Sequence, residues 1–240
     1  MSKGLNQFGQ PVGLALPDWR EPPRPSGTVL EGRYCRIEKL GAEKHAESLW
    51  AAHQQAADGR DWTYLFFGPF ENYDAFANFL RQSARSQDPF HFTVIDKASG
   101  QALGTAALMR IDPANGVLEV GHIVYSPALQ RHRVGTEAMY LLMRLAFDEL
   151  GYRRYEWKCD ALNQRSRAAA ERYGFRFEGL FRQAIIYKGR SRDTAWYSII
   201  DQEWPQIRQA FQHWLALENF DPSGQQIKSL RALRETVPQR

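Results

Sequence analysis

Cysteine is scarce in this chain: 240 residues contain two, Cys35 and Cys159, far apart inside apolar, strand-like stretches. That excludes a disulfide framework, and both read as buried free thiols of a reducing compartment. Long apolar runs are missing too. No segment approaches the roughly 20 apolar residues that cross a bilayer, and the opening MSKGLNQFGQ lacks the apolar run of a secretory signal. A cytoplasmic protein with no membrane partner is expected. Charge of one sign is not in large excess, because 31 Lys and Arg against 27 Asp and Glu leave only +4, little for a nucleic-acid binder. The six His residues show no ligand spacing, so no metal is implied.

What is present is ample core material, with 43% apolar residues, seven Trp and fourteen Phe. One domain over residues 28–218 is expected, between a proline-rich arm (1–27) and a tail (219–240) with a short basic helix. In the arm, Pro17, Pro22, Pro23 and Pro25 prevent regular ladder or helix bonding. It is expected to hold on through Leu14, Leu16 and Trp19; the alternative, a proline-rich ligand for a partner, has no supporting context.

Along the chain, residues 28–40 read as a strand pair turning at Gly32. A helix over 42–57 follows, with His53 on its polar face. The aromatic run 62–70, broken at Gly68-Pro69, reads as a core-capping loop. Asn72 caps a helix reaching residue 86. Strands over 90–95 and 102–111 form a hairpin that feeds a strand rich in β-branched residues, 117–124, in which Gly121 marks a bulge or a close backbone approach. Pro127 ends that ladder. A helix over 136–150 then leads to a strand over 154–159, and a helix joining two strands implies parallel pairing. Two last strands, 176–187 and 193–200, meet at Lys188-Gly189-Arg190, with Gly179 as a bend, Trp196 and Tyr197 on opposite faces, and Asp193 as a structural hydrogen bonder. A helix over 202–217 closes the domain.

The loop Gln130-Arg131-His132-Arg133 precedes a helix expected to open at Gly135-Thr136, which outlines an anion site. Gln130 to Gly135 resembles the acetyl-CoA pyrophosphate loop of the GNAT N-acetyltransferases, Q/R-x-x-G-x-G/A, with Arg133 in place of the first Gly. The continuation Gly135-Thr136-Glu137-Ala138 resembles the branch with the ribosomal-protein N-terminal acetyltransferases. Asn163-Gln164-Arg165-Ser166 followed by Tyr173-Gly174-Phe175 is similar to a second GNAT motif, without insertion. The resemblance implies an α/β (α+β) fold whose mixed, mostly antiparallel sheet of about seven strands is flanked by helices. It also implies acetyl-CoA as co-substrate, held by Gln130, Arg131, His132, Arg133, Val134, Gly135 and Thr136 at the diphosphate. Backbone groups of Ile123, Val124 and Tyr125 would pair with the pantetheine arm, and Asn163 and Ser166 would contact the cofactor. Aromatics of the 61–70 segment would then help line the acceptor pocket.

Acetyl transfer to an amine needs a neutral amine, a place for the oxyanion and a proton for the leaving thiolate. Glu119 is the first candidate base, eleven positions before Gln130 as in the histone-acetyltransferase relatives; His122 is the second, and a water chain the third. The Tyr that protonates the thiolate in many members is Ala170 here. Tyr173 reads as a packing residue, leaving Ser166, or water, as the donor. Ile185 stands where the ribosomal-protein branch has an acid, so the acceptor stays open between a protein N-terminus and a small molecule. Two rivals remain: a catalytically silent CoA-binding module, favoured by Ala170 and Arg133, and a nucleic-acid binder using the arginines of the second half. Monomer and homodimer are both open.

Overall fold

The computed structural model describes residues 4–27 and 29–236; Thr28, the expected start of the first strand pair, lies outside them. Two short strands, β1 (Gly4–Leu5) and β2 (Pro11–Val12), form a separate hairpin in the N-terminal arm. The rest of the arm is held by Trp19, whose Nε1 donates to the Ala114 carbonyl at 3.1 Å under the Arg153 guanidinium, and by Arg24, which reaches the Ile111 carbonyl. Leu14 and Leu16, expected as anchors, are exposed instead.

The chain then builds β3 (Leu30–Glu31), β4 (Cys35–Lys39), α1 (Ala42–His53), α2 (Tyr73–Arg85), β5 (Phe90–Asp96), β6 (Ala102–Asp112) and β7 (Val117–Tyr125). α3 (Arg133–Arg144), β8 (Arg154–Asp160), α4 (Gln164–Tyr173), β9 (Arg176–Tyr187), β10 (Arg190–Ile200), α5 (Trp204–Leu215) and α6 (Leu230–Thr236) complete it. β3 to β10 make one sheet of eight strands, one more than expected, in the order β3-β4-β5-β6-β7-β8-β10-β9. All neighbours are antiparallel except β7 and β8, the pair joined through α3. Among the described residues no helix is long and apolar enough to cross a membrane.

Two cores form on the two faces of this sheet. α3, α4 and α5 bury Met139, Leu142, Tyr155, Trp157 and Phe211 on one side. α1 and α2 bury Leu49, Phe76 and Leu80 with Trp62 on the other. Asn72 caps α2 as expected, its Oδ1 accepting from Ala75 N. α1 stops at His53, short of residue 57, and His53 is no polar-face residue: its ring packs on Trp62 and Phe76, 5.3 and 6.1 Å between centroids. Burial pushes its pKa down to about 4.

α3 begins at Arg133, two residues earlier than expected, because His132 supplies the cap: its Nδ1 accepts from Val134 N. Glu137 ties this helix to the first strand pair, its carboxylate accepting from the backbone N–H groups of Arg33, Tyr34 and Cys35 at 2.6 to 2.7 Å. Gly32 leaves room for that carboxylate, since a Cβ there would lie 2.5 Å from it. The β9–β10 turn at Lys188-Gly189 has positive φ at both residues, the geometry of a tight hairpin. Asp193 is structural as expected, its Oδ1 accepting from Gln183 N.

Candidate active site

β7 and β8 pair only from Val117↔Arg154 to Val120↔Trp157. Beyond that the two strands part, although β8 continues on β10 as far as Asp160. The cause is local. Between the pairs Thr105↔Val124 and Ala107↔Gly121, β7 spends one residue more than β6. The bulge expected near Gly121 therefore falls one residue later, at His122, whose φ is +46°. A matching irregularity in β6 sits at Arg110, φ +48°. The parted strands open a cleft of about 1330 Å³, which runs from the start of α3 past β8 to β10.

Ile123, Val124 and Tyr125 form one wall of this cleft, with Gln130 and Arg131 at the α3 end and Asn163 and Ser166 opposite. Gln130 Nε2 donates to the Tyr125 carbonyl and to Asp61, 2.9 Å each, tying the loop to the segment after α1. Arg131 adopts φ +57°, a left-handed conformation in the loop where a glycine is more usual. Gly135 serves packing: a Cβ there would meet the Leu129 carbonyl at 2.9 Å and the Tyr125 ring at 3.1 Å, so only glycine lets α3 start this close to β7. Thr136 is buried and its Oγ1 accepts from Arg172, a cleft residue.

His132, Arg133 and Val134 contribute to the helix start rather than to the cleft wall. The Arg133 guanidinium lies over the rings of Tyr34 and Phe220, 4.7 and 5.4 Å from their centroids. Its side chain is committed there. Asn163 caps α4, Oδ1 accepting from Ser166 N at 3.1 Å. Ser166 Oγ accepts from Trp157 Nε1 at 2.9 Å, and its own hydroxyl lies within hydrogen-bond reach of the Cys159 sulfur. Ala170 is fully buried, and Tyr173 packs on Trp157 and Phe211 while also lining the cleft next to Arg172.

The two base candidates stand in different surroundings. Glu119, 3% exposed, shares its Oε2 between Arg110 at 2.6 Å and Lys158 at 3.0 Å. His122 has a buried Nδ1 with no hydrogen-bond partner, and its ring faces His91 and Phe67. Burial, and then the positive charge of Arg110, push the His122 pKa below the usual imidazole value.

Sequence reasoning passed over Lys158, Arg110 and Arg192, all on the cleft wall. The signal was available for Lys158. β8 alternates strictly, with Arg154, Glu156, Lys158 and Asp160 on one face and Tyr155, Trp157 and Cys159 on the other, a run of ionisable side chains on a nearly buried strand. Trp196 joins them from β10, its ring 3.9 Å from Lys158 Nζ, while Tyr197 points to the opposite face beside Arg167. The arginines of the second half divide between the cleft, which Arg131, Arg165 and Arg172 line, and sites outside it. Arg154 pairs with Glu156 and Glu178, Arg176 with Glu203, and Arg153 lies against Trp19, an arrangement that gives no backbone-tracking stripe. Among the described residues no group of His, Cys, Asp and Glu is placed to hold a metal.

Residues 36–176 match the family described as the acetyltransferase (GNAT) domain. A solved GCN5-related N-acetyltransferase from Brucella melitensis is 51% identical and superposes with a TM-score of 0.90 over 92% of this chain and 100% of its own. A GNAT-family structure from Chromobacterium violaceum is 40% identical, with a TM-score of 0.76 over 82% of this chain and 98% of that one. YdaF of Bacillus subtilis (strain 168), named as a candidate ribosomal N-acetyltransferase, is 30% identical over 105 residues, which is 44% of this chain and 57% of YdaF. The match thus spans little over half of that curated relative. On the family match and these likenesses together, the chain belongs to the GNAT acetyltransferase family.

Proposed function

We propose that the protein moves an acetyl group from acetyl-CoA to a primary amine by direct transfer, in the cleft between β7 and β8. The observation that carries this reading is the parting of two parallel strands beside a helix start. Strand β7 there faces a gap, where an extended pantetheine arm can lie along Ile123 to Tyr125 as an added strand, while the diphosphate meets the amides of 131–136 and the positive helix end. Arg131 and Arg172 add positive charge at that end. The setting is a reducing cytoplasm, consistent with the two buried thiols Cys35 and Cys159.

The incoming amine must be neutral to attack the thioester carbon. His122, uncharged near neutral pH because burial lowers its proton affinity, takes the proton directly or through water. Glu119 holds Lys158 and Arg110 in place, so the reacting end of the cleft keeps both cations facing the oxyanion that develops on the acetyl group. As the carbon–sulfur bond breaks, Ser166 Oγ gives its proton to the thiolate and regains one through water from the His122 imidazolium, while Trp157 Nε1 keeps Ser166 oriented.

The test is a panel of amines with acetyl-CoA, read by thiol release. Turnover on at least one amine is expected, and His122→Asn should lower kcat by about 100-fold while leaving CoA affinity unchanged. Stabilisation by CoA with no thiol release on any amine would instead support a silent CoA-binding module. Glu119→Gln with an unchanged pH profile would leave the proton with His122.

A further inference from the structure

Most cations of the cleft are matched by carboxylates; among the described residues Arg131 and Arg172, at the α3 end, and Arg192 are not, and of these three only Arg192 is buried. Glu119 holds Arg110 and Lys158, and Asp61 accepts from Gln130 and faces Arg165. Asp160 accepts from Tyr187 Oη and Leu162 N, both at 2.8 Å. Arg192 on β10 has no such partner. It is 6% exposed and lines the cleft, its Nε donates to Thr194 Oγ1 at 3.2 Å, and no carboxylate of the described residues reaches its guanidinium as an ion pair. The group is also held still, because the rings of Phe66 and Tyr187 lie 5.4 and 5.7 Å from its central carbon.

A buried charge without a counter-ion is costly, and a fixed guanidinium presents a planar fork of donors that fits an oxyanion on two oxygens. The location separates this group from the diphosphate end. Arg192 shares a sheet face with Thr194 and Trp196 and lies two residues past the last β8–β10 pair, Thr194↔Asp160, so it stands beyond the end of β8, on a different strand from the wall of Ile123 to Tyr125. Phe66 reaches it from the segment after α1, whose position is fixed by Lys188 Nζ donating to the Trp62 and Gly68 carbonyls.

We propose that Arg192 receives an oxyanion of the acceptor, so that the amine acetylated here carries a carboxylate or a phosphate within the same small molecule or peptide terminus. This rests on the acetyl-transfer reading for the word acceptor, but the anion site itself does not require turnover. Trp196, stacked on Phe181 with ring centroids 4.3 Å apart, then supplies an apolar surface between the bound anion and Lys158.

The experiment is calorimetric titration of the full chain, with and without saturating CoA, using glutarate, its uncharged diamide and inorganic phosphate. Glutarate or phosphate should bind about ten-fold or more tightly than the diamide, and whichever of the two binds better identifies the oxyanion. Arg192→Gln should abolish the preference, Arg192→Lys should retain part of it, and CoA affinity should stay within about two-fold in both. Equal binding of glutarate, phosphate and the diamide by the wild-type chain overturns the proposal without any variant. So does a preference that survives Arg192→Gln, or a loss of CoA affinity in that variant, which would put Arg192 at the cofactor. A chain that binds the anions but transfers no acetyl group would sink the acetyl-transfer reading and leave this one standing.

Discussion

Lys158 Nζ lies 3.0 Å from Oε2 of Glu119, joining β8 to β7 close to where the two strands begin to part. The same ammonium is 2.7 Å from Glu156, so one cation on a largely buried strand separates two buried carboxylates. Beyond Glu156 the alternation continues through Arg154 to Glu178 and Ser198. Charge of both signs thus crosses the sheet from the cleft to its far edge.

Lys158→Met should therefore be costly. It leaves Glu119 and Glu156 buried with fewer counter-ions, and removing one partner of a buried pair costs about 3 to 5 kcal/mol. Thermal or urea unfolding at neutral pH measures it. A loss below about 1 kcal/mol, the range of exposed pairs, would show that water reaches this cluster.

Replacing Gly135 by Ala should disturb the start of α3. The new Cβ would press on the Leu129 carbonyl and the Tyr125 ring, a forced contact of the kind that costs about 1 to 3 kcal/mol. Because the same backbone forms the helix end of the cleft, CoA affinity measured by calorimetry should fall together with Tm. A fall in Tm alone would separate the helix start from ligand binding.

Glu137→Ala removes the acceptor for three backbone N–H groups, of Arg33, Tyr34 and Cys35. Leaving buried donors unmet costs about 1 to 3 kcal/mol each, less where water enters. Unfolding should become easier by roughly 3 kcal/mol in total, with no direct effect on the reacting end of the cleft.

His91 and His53 give the stability a direction with pH. Burial lowers the pKa of both to about 4, and His91 also feels His122. Since the folded values lie below the unfolded imidazole value, the unfolded chain binds more protons in between. Their contribution is complete above about pH 6.5 and is lost as the pH falls towards 4. Tm measured from pH 7 down to pH 4.5 should decline, and His53→Phe should decline less steeply.

Much of this fold was legible in the residues. Asn72 as a helix cap, the hairpin at Lys188-Gly189, the parallel pairing of the strands around α3 and the opposite faces of Trp196 and Tyr197 all follow from local chemistry or alternation, and all are present. What escaped depended on register and on partners distant in sequence. A one-residue bulge at His122 rather than Gly121 changes which side chains meet the cleft, and periodicity alone does not locate an extra residue. The start of α3 moved because His132 can cap with its ring nitrogen, which is uncommon among caps. Arg133 looked like a phosphate cation from its place in the loop, yet Tyr34 and Phe220, remote in the chain, supply it with two aromatic faces. Lys158 and Arg192 lie outside both sequence motifs; the alternation of β8 already marks Lys158, whereas Arg192 is revealed only by its cross-strand neighbours.

Hydrogen exchange with and without acetyl-CoA tests the central claim most directly, because it reads the backbone of the parted strands themselves. Slower exchange is expected in two segments, residues 122–125 of β7 and residues 131–136 at the start of α3, with little change in β4 or β5. Unchanged exchange in both segments at saturating acetyl-CoA, or protection confined to another part of the chain, would contradict the account.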